Sequence, residues 1–354
     1  ARGDYWEKIA KGLSGIVDFM RFIHPNFSNS QVLRIRMKNK VLPVAFRFLD
    51  KIPTIHPWLL KRALRLLSHF EKAIPSNYKI ESFILRHDPD VLVVSPLIDA
   101  GSIQVDLVKS AKAVGVRTVA AIASWDNLTN KGLMRIEPDA TIVWNNIQKA
   151  EAEEYHAIPS ARIVVTGSPA FDKWFNRSPS CTREEFYERV GLPENKPYIL
   201  FVGSSRFIAK SEAEVDFVKS WILALRSCPE SDVRDLAVLV RPHPYNTAAW
   251  ETTDCLDINH VTVWPRARYN PVDEGQRALY FDSLFYCKAV VGINTSAMIE
   301  SAIIGRPVLS ILSPEFNSTQ EGTLHFRYLR QEDGGCVQIA HSFTQHIRQL
   351  KKML

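Results

Sequence analysis

Two short groups of residues in the last third of the chain have the types and spacing to hold an anion. Arg241-Pro-His-Pro244 follows the apolar run Leu236–Val240, and Asn294-Thr-Ser296 opens a helix-patterned stretch that runs to Gly305. Arg offers a fork of N–H donors to phosphate oxygens, and His a single donor that can be charged. Asn, Thr and Ser at a helix start add hydroxyls and free backbone N–H groups at its positive end. Glu300 follows Ser296 by four residues and so shares its helix face. Gly203-Ser-Ser-Arg206, after the apolar run Tyr198–Val202, brings small residues that let backbone approach a ligand closely. Together these groups suit a nucleotide mono- or diphosphate and can steady the charge left on it when a bound group departs. A Pro-rich turn with a capped His and an ordinary helix N-cap are the plainer readings. Capping and phosphate binding are compatible, and the two groups recur in company.

Such groups need strands to carry them. Tyr198–Val202, Leu236–Val240, the run up to Asn294 and Arg306–Leu312 read as buried strands separated by helical stretches. Strands alternating with helices imply a parallel sheet with right-handed crossovers, and ligands of such sheets meet the carboxyl ends of the strands. An earlier run repeats the rhythm: Val91–Ser95, Thr118–Ala123, Ala140–Trp144 and Arg162–Gly167 are strands, with helices over 102–114 and 147–156. Four strands are few for a complete domain of this type, and the helical residues 1–80 stand where earlier strands would. The organisation expected is a helical segment 1–80 belonging to a first domain, that domain's α/β part over 81–172, a polar, proline-bearing linker over 173–197, a second α/β domain over 198–340, and a basic helix over 341–354 that folds back across the first domain.

The 354 residues fit two domains, and 46% hydrophobic with 23% charged residues is ordinary for a globular protein. A net charge of +6 is only mildly basic and implies no nucleic-acid partner. Five widely spaced cysteines, Cys181, Cys228, Cys255, Cys287 and Cys336, without a CxxC pair, fit free thiols in a reducing, cytoplasmic setting. No apolar run approaches the ~20 residues of a membrane span. The chain opens on Ala1 within a helical pattern, as a piece of a longer protein would. The segment Trp58–Ala73 has apolar residues at helical spacing with basic residues opposite. It can pack on a sheet with its basic face in solvent, the commoner arrangement, or lie on an anionic membrane surface, a peripheral contact.

A transfer reaction also needs a base for the acceptor hydroxyl. Asp126, in the polar loop Ser124–Gly132 after a strand, is the first candidate and Asp99, in Pro96–Gly101, the second. A simple turn is the competing explanation of Asp126-Asn127. His325, beside Phe326, is more often structural. No clustered carboxylate site or zinc-ligand spacing stands out, so no metal or other cofactor is expected.

The two tandem α/β runs resemble the GT-B glycosyltransferase fold, two doubly wound Rossmann-like domains facing across a cleft. Ile163-Val-Val-Thr-Gly-Ser-Pro-Ala-Phe-Asp172 resembles the end of the first domain in these proteins. Arg241-Pro-His-Pro244 resembles the R-x-H-P motif of CDP-glycerol glycerophosphotransferases and the HP motif of bacterial sialyltransferases. Gly292–Val308 resembles the D-S-G-G-x-x-E…G-x-P-V segment of non-hydrolysing UDP-GlcNAc 2-epimerases. The resemblance covers roughly 83–340. It implies a nucleotide-sugar donor held by Gly203, Ser204, Ser205, Arg206, Arg241, His243, Asn294, Thr295, Ser296 and Glu300, the last accepting from ribose hydroxyls. It implies catalysis by Asp126, Asp99 and His243 in an inverting, metal-independent transfer to a bacterial surface glycan or lipid-linked acceptor, at the inner face of the membrane. Two alternatives stand beside it. One is a UDP-sugar 2-epimerase, from which the chain departs because Asn294-Thr-Ser-Ala297 replaces the D-S-G-G tetrad. The other is a non-catalytic nucleotide-binding module of a polysaccharide-assembly protein.

Overall fold

A computed structural model describes residues 2–253, 258–266 and 271–354, so that Cys255 lies outside the described residues. The chain forms two compact units, Ala1–Ser168 with Gly322–His325, and Pro169–Glu321 with Phe326–Leu354.

The first unit opens with helices Glu7–Met20, Gln31–Lys40, Pro57–Ala73 and Tyr78–His87. A four-stranded parallel sheet follows: β1 (Val91–Val94), β2 (Arg117–Ala121), β3 (Ala140–Val143) and β4 (Ile163–Val165), in the order β1-β2-β3-β4. Strand order therefore follows chain order without reversal. Val94, Ala120, Val143 and Ile163 from the strands bury against Val105 and Val108 of helix Gln104–Ala113 and Ala152 of helix Asn146–His156. The chain's one Asp-x-Asp, Asp88-Pro-Asp90, caps helix Tyr78–His87 through left-handed Asp88 and leads into the amino end of β1. That is the edge of the sheet away from where ligands of parallel sheets bind.

The second unit holds six parallel strands, β5 (Tyr198–Val202), β6 (Ala237–Arg241), β7 (Val261–Val263), β8 (Val290–Gly292), β9 (Val308–Ile311) and β10 (Val337–Ala340), ordered β10-β9-β8-β5-β6-β7. The chain starts in the middle at β5, winds outward through β6 and β7, then returns to β8 and winds the other way. Every residue of β5 and β6 is buried, as expected of strands covered on both faces. Alternation along β5 divides the core: Ile199 and Phe201 face Trp221, Ile222 and Leu350, whereas Tyr198, Leu200 and Val202 face Phe186, Tyr187 and Phe281.

Two segments depart from the expected organisation. The stretch 173–197, read as a linker from its polarity and prolines, carries helix Arg183–Val190, whose Phe186, Tyr187 and Val190 are core residues of the second unit. A Thr182–Glu185 capping box starts that helix and left-handed Gly191 ends it. The C-terminal helix Phe343–Met353, expected to fold back over the first domain, packs by Leu350, Phe343 and Ile347 into the second unit's own core. Its apolar stripe fits the sheet face nearest in sequence, beside β9 and β10.

Candidate functional site

The carboxyl ends of β6, β5 and β8 stand side by side. Val202 is in register with Arg241 on one side and Gly292 on the other. At ~4.8 Å between strands, Arg241 and Gly292 are about 10 Å apart across β5. The loops that leave these ends are Gly203–Arg206, Pro242–Asn246 and Ile293–Ser296. Between β5 and β8 the strand order reverses, and the crevice at such a reversal is where open parallel sheets bind ligands.

The loops are fitted to one another through backbone. A Cβ on Gly203 would lie 2.6 Å from His243 N, and one on Gly292 would lie 3.1 Å from Val202 Cγ2. Gly203 N–H donates to Arg241 O at 2.8 Å. Ser204 is fully buried. Its N–H donates to Glu214 Oε1 at 2.7 Å, its Oγ receives Asn294 N–H at 3.4 Å, and its carbonyl receives Asn246 Nδ2 at 3.0 Å. Asn294 Nδ2 in turn donates to Thr319 O at 2.6 Å. Ser204 and Asn294, expected to meet a ligand, thus spend these side-chain bonds joining the loops. Ser205 is half-buried and its carbonyl receives Ile208 and Ala209 N–H; Arg206 is exposed. Thr295 is half-buried and Ser296 exposed, and Ser296 makes no side-chain cap bond to the helix that follows. That helix, Ala297–Ile303, has only seven residues.

His243 is half-buried. Its Nδ1 receives the Tyr245 backbone N–H at 3.2 Å. A backbone N–H can only donate, so Nδ1 is an acceptor and the proton of the neutral ring sits on Nε2. Burial holds the imidazole below its ordinary pKa. His243 is therefore a neutral ring presenting Nε2–H as a donor. Arg241 is buried between two aromatic rings, its guanidinium carbon 5.0 Å from the Trp264 centroid and 4.9 Å from that of Tyr280. The Tyr280 hydroxyl donates to Glu300 Oε2. Burial raises Glu300 to about 7 against the Tyr280 bond, which lowers it. Arg241, Tyr280 and Glu300 thus form a connected set on one face of the sheet.

Behind the loops lies Glu214, fully buried, whose carboxyl takes Ser204 N–H and, at 3.3 Å, Trp250 Nε1–H. Desolvation pushes its pKa up to about 8, more than these bonds lower it. Glu214, Trp264 and Tyr280 escape sequence reasoning because each sits in a helix or loop away from the motifs, and Asn246 because its type alone does not mark it. Only Asn246, just past Pro244, carried a positional hint.

In the first unit, Asp126 is half-buried at the head of loop Ser124–Gly132. Its Oδ1 receives Ser124 Oγ at 2.7 Å, and its Oδ2 receives Asn130 Nδ2 at 3.4 Å. His325 stands against the same loop, its ring edge-on to Trp125 with centroids 4.5 Å apart. Burial drives the His325 pKa down to about 4 while the Asp126 charge opposes it. Asp99 meets the other end of the same loop: its side chain is 47% exposed and paired with Lys131 at 3.4 Å, and Gly132 N–H donates to Ile98 O at 2.7 Å. The loop's far end is fixed from the helical N-terminal segment. Buried Arg21 donates to the carbonyls of Leu128, Lys131 and Gly132, and Asp18 accepts Leu133 N–H and Arg135. Gly132 is required there, because a Cβ would meet Asp18 Oδ1 at 2.7 Å.

No protein-family model matches the sequence, and no curated protein matches it. Among solved structures, a UDP-GlcNAc 2-epimerase from Methanocaldococcus jannaschii aligns with 81% of this chain and 75% of its own, with TM-score 0.50 and 13% identity. A putative UDP-N-acetylglucosamine 2-epimerase from Listeria monocytogenes aligns with 93% and 84%, TM-score 0.51, 14% identity. A glycosyltransferase from Rickettsia africae covers 92% and 84%, with TM-score 0.48 and 12% identity. The likeness is one of fold: two parallel-sheet α/β units of the GT-B type.

Proposed function

We propose that the chain is a metal-independent, inverting glycosyltransferase. It moves a sugar, or a polyol phosphate, from a nucleotide-activated donor to a bacterial surface glycan or lipid-linked acceptor. The observation that supports this most is the meeting of the Gly203, His243 and Thr295 loops at the reversal of strand order in the second sheet. The donor phosphate lies over that reversal, within reach of His243 Nε2–H and the Thr295 and Ser296 hydroxyls. Glu300, tied to Tyr280, receives the ribose hydroxyls, and Arg241 supplies positive charge behind the phosphate. As the bond from sugar to phosphate breaks, or the P–O bond within the diphosphate where a polyol phosphate moves, these donors stabilise the departing phosphate oxyanion without reorganising. The acceptor oxygen forms the new bond and gives its proton to a carboxylate, Asp126 before Asp99.

The second reading is a UDP-sugar 2-epimerase, which shares this fold. Asn294-Thr-Ser-Ala297 in place of D-S-G-G supports the transferase instead. A thermal-shift panel of CMP, CDP, UDP, GDP and TDP tests the site itself. A true ligand at 100 times its Kd raises stability by ~2.7 kcal/mol, and EDTA leaves that shift unchanged. Release of free nucleotide only when acceptor is present then separates transfer from epimerisation. A panel with no shift rejects both readings, and a shift without nucleotide release or epimerisation favours a non-catalytic nucleotide-binding module.

A further inference from the structure

Helix Pro57–Ala73 uses little of its surface to hold itself to the first unit. Only Leu60 and Glu71 are buried, on the side that meets helix Glu7–Met20 and the Asp18–Arg135–Glu71 ion cluster. Ala63, Leu64, Leu67 and Ser68 are half-buried on the same side, and the exposed surface splits into two adjoining strips. Leu59, Leu66 and Phe70, spaced by seven and four residues, form an apolar strip that is 52%, 59% and 59% exposed. Lys61, Arg62, Arg65 and Lys72 form the next strip, also exposed. Trp58, 53% exposed, lies among the cations with Arg62 stacked 3.9 Å from its ring centroid. Glu71, the helix's one acidic residue, is buried and bound to Arg135. The outward surface of the helix therefore carries four positive charges and no negative one. The segment before it, Val44–Lys51, has no buried residue and exposes Val44, Phe46 and Phe48 beside Arg47 and Lys51.

We propose that this face docks on an anionic lipid surface, with the helix lying in the plane of the interface. Leu59, Leu66, Phe70 and the Trp58 ring enter the headgroup–acyl boundary, and the four cations meet lipid phosphates. The charge pattern selects this occupant. A purely apolar partner would leave four cations unmatched, whereas an anionic bilayer satisfies both strips at once. No helix among the described residues is long and apolar enough to cross a membrane, so the contact is peripheral.

The test is flotation of the full chain with vesicles of phosphatidylcholine alone and of phosphatidylcholine mixed with phosphatidylglycerol. Wild type floats with the mixed vesicles at least ~10-fold better than with neutral ones, and loses that binding as salt rises and screens the cations. Leu59→Ser/Leu66→Ser/Phe70→Ser and, separately, Lys61→Gln/Arg62→Gln/Arg65→Gln each reduce flotation about 10-fold or more. All these residues are exposed, so thermal melts of both variants stay close to wild type. No flotation with anionic vesicles overturns the proposal. So does unchanged flotation in the apolar variant, or a concentration-dependent dimer that the same substitutions dissolve, which would make the face an interface between two copies.

Discussion

The backbone of Gly203 is pressed against that of the Arg-Pro-His-Pro loop: a Cβ on Gly203 would stand 2.6 Å from His243 N and 3.0 Å from Pro242 Cα. Neither neighbour is a flexible side-chain end that could move aside. The contact sets the distance between the loop after β5 and the one that carries His243.

Gly203→Ala must therefore separate the two loops. The substitution is expected to cost about 1–3 kcal/mol, the usual range for forcing an extra methyl into packed structure. It should weaken nucleotide binding by more than this loss of stability explains, since His243 moves with its loop. Urea midpoints at constant m-value measure the first effect and nucleotide titration the second. A variant as stable as wild type would mean that the loops yield easily and that Gly203 has no positioning role.

His243 is expected to act as a neutral donor through Nε2–H, because the Tyr245 N–H occupies Nδ1 and burial disfavours the charged ring. Loss of one donor to a developing oxyanion costs ~10²–10³-fold in turnover. His243→Ala should show that loss, while His243→Gln, which keeps an N–H donor on a side chain of similar reach, should recover part of it. Arg241→Lys is a companion test. It keeps the charge but not the planar group that lies between Trp264 and Tyr280. Turnover is measured at saturating donor; equal losses for Ala and Gln at position 243 would assign the ring a role other than donation.

Much of this arrangement was legible in the sequence. Continuous apolar runs ending in Gly203, Arg241 and Gly292 announced buried parallel strands, and their polar ends marked the edge where open parallel sheets take ligands. Two things were hidden. Short range polarity made 173–197 read as a linker, although Phe186 and Val190 sit at helical spacing and are buried deep in the second unit. The supports of the site were also invisible, because Glu214 and Tyr280 look like ordinary helix residues until the fold closes over them. A lone Glu in a helix gives no sign that its carboxyl will be buried against Ser204 and Trp250. The same limit hid Arg21, which holds the Asp126 loop from more than a hundred residues away.

The buried Glu214 carboxyl links stability to pH. Desolvation raises its pKa from 4.5 to about 8, so through that window the folded chain keeps a proton that the unfolded chain releases. Ionisation then favours the unfolded state, and this carboxyl's contribution to stability falls as pH rises from about 4.5 to about 8. Glu300, raised to about 7, adds to the lower part of the same window. The buried histidines His325 and His346, lowered to about 4, work in the opposite direction below about 6.5, so thermal melts of wild type should decline from about 6.5 to about 8, with the site empty. Glu214→Gln cannot ionise and should show a shallower decline, most clearly above the Glu300 value. An identical slope in the two proteins would mean that the carboxyl is ionised in the fold.

On the acceptor side stand Asp126 and His325, whose ring packs against the Trp125 next to Asp126. Asp126 is held by Ser124 Oγ and Asn130 Nδ2, and the buried His325 ring stands edge-on to the neighbouring Trp125. If Asp126 takes the acceptor's proton, Asp126→Asn keeps its shape, removes its basicity, leaves donor binding intact and lowers transfer by ~10²–10⁴-fold. A carboxylate that only shapes a turn tolerates Asn with little change in rate, because Asn is as good a turn former. His325→Gln then tests whether the ring serves Asp126. Burial keeps His325 uncharged near neutrality, so any help it gives Asp126 is by position rather than by charge. Its loss should lower transfer less than that of Asp126, and the double variant should be no worse than Asp126→Asn alone, the non-additivity of residues that act as a unit. Multiplying losses in the double variant would show that the two act separately. Full activity in Asp126→Asn would pass the role to Asp99, whose half-exposed carboxylate pairs only loosely with Lys131 at 3.4 Å and could release it to meet an acceptor.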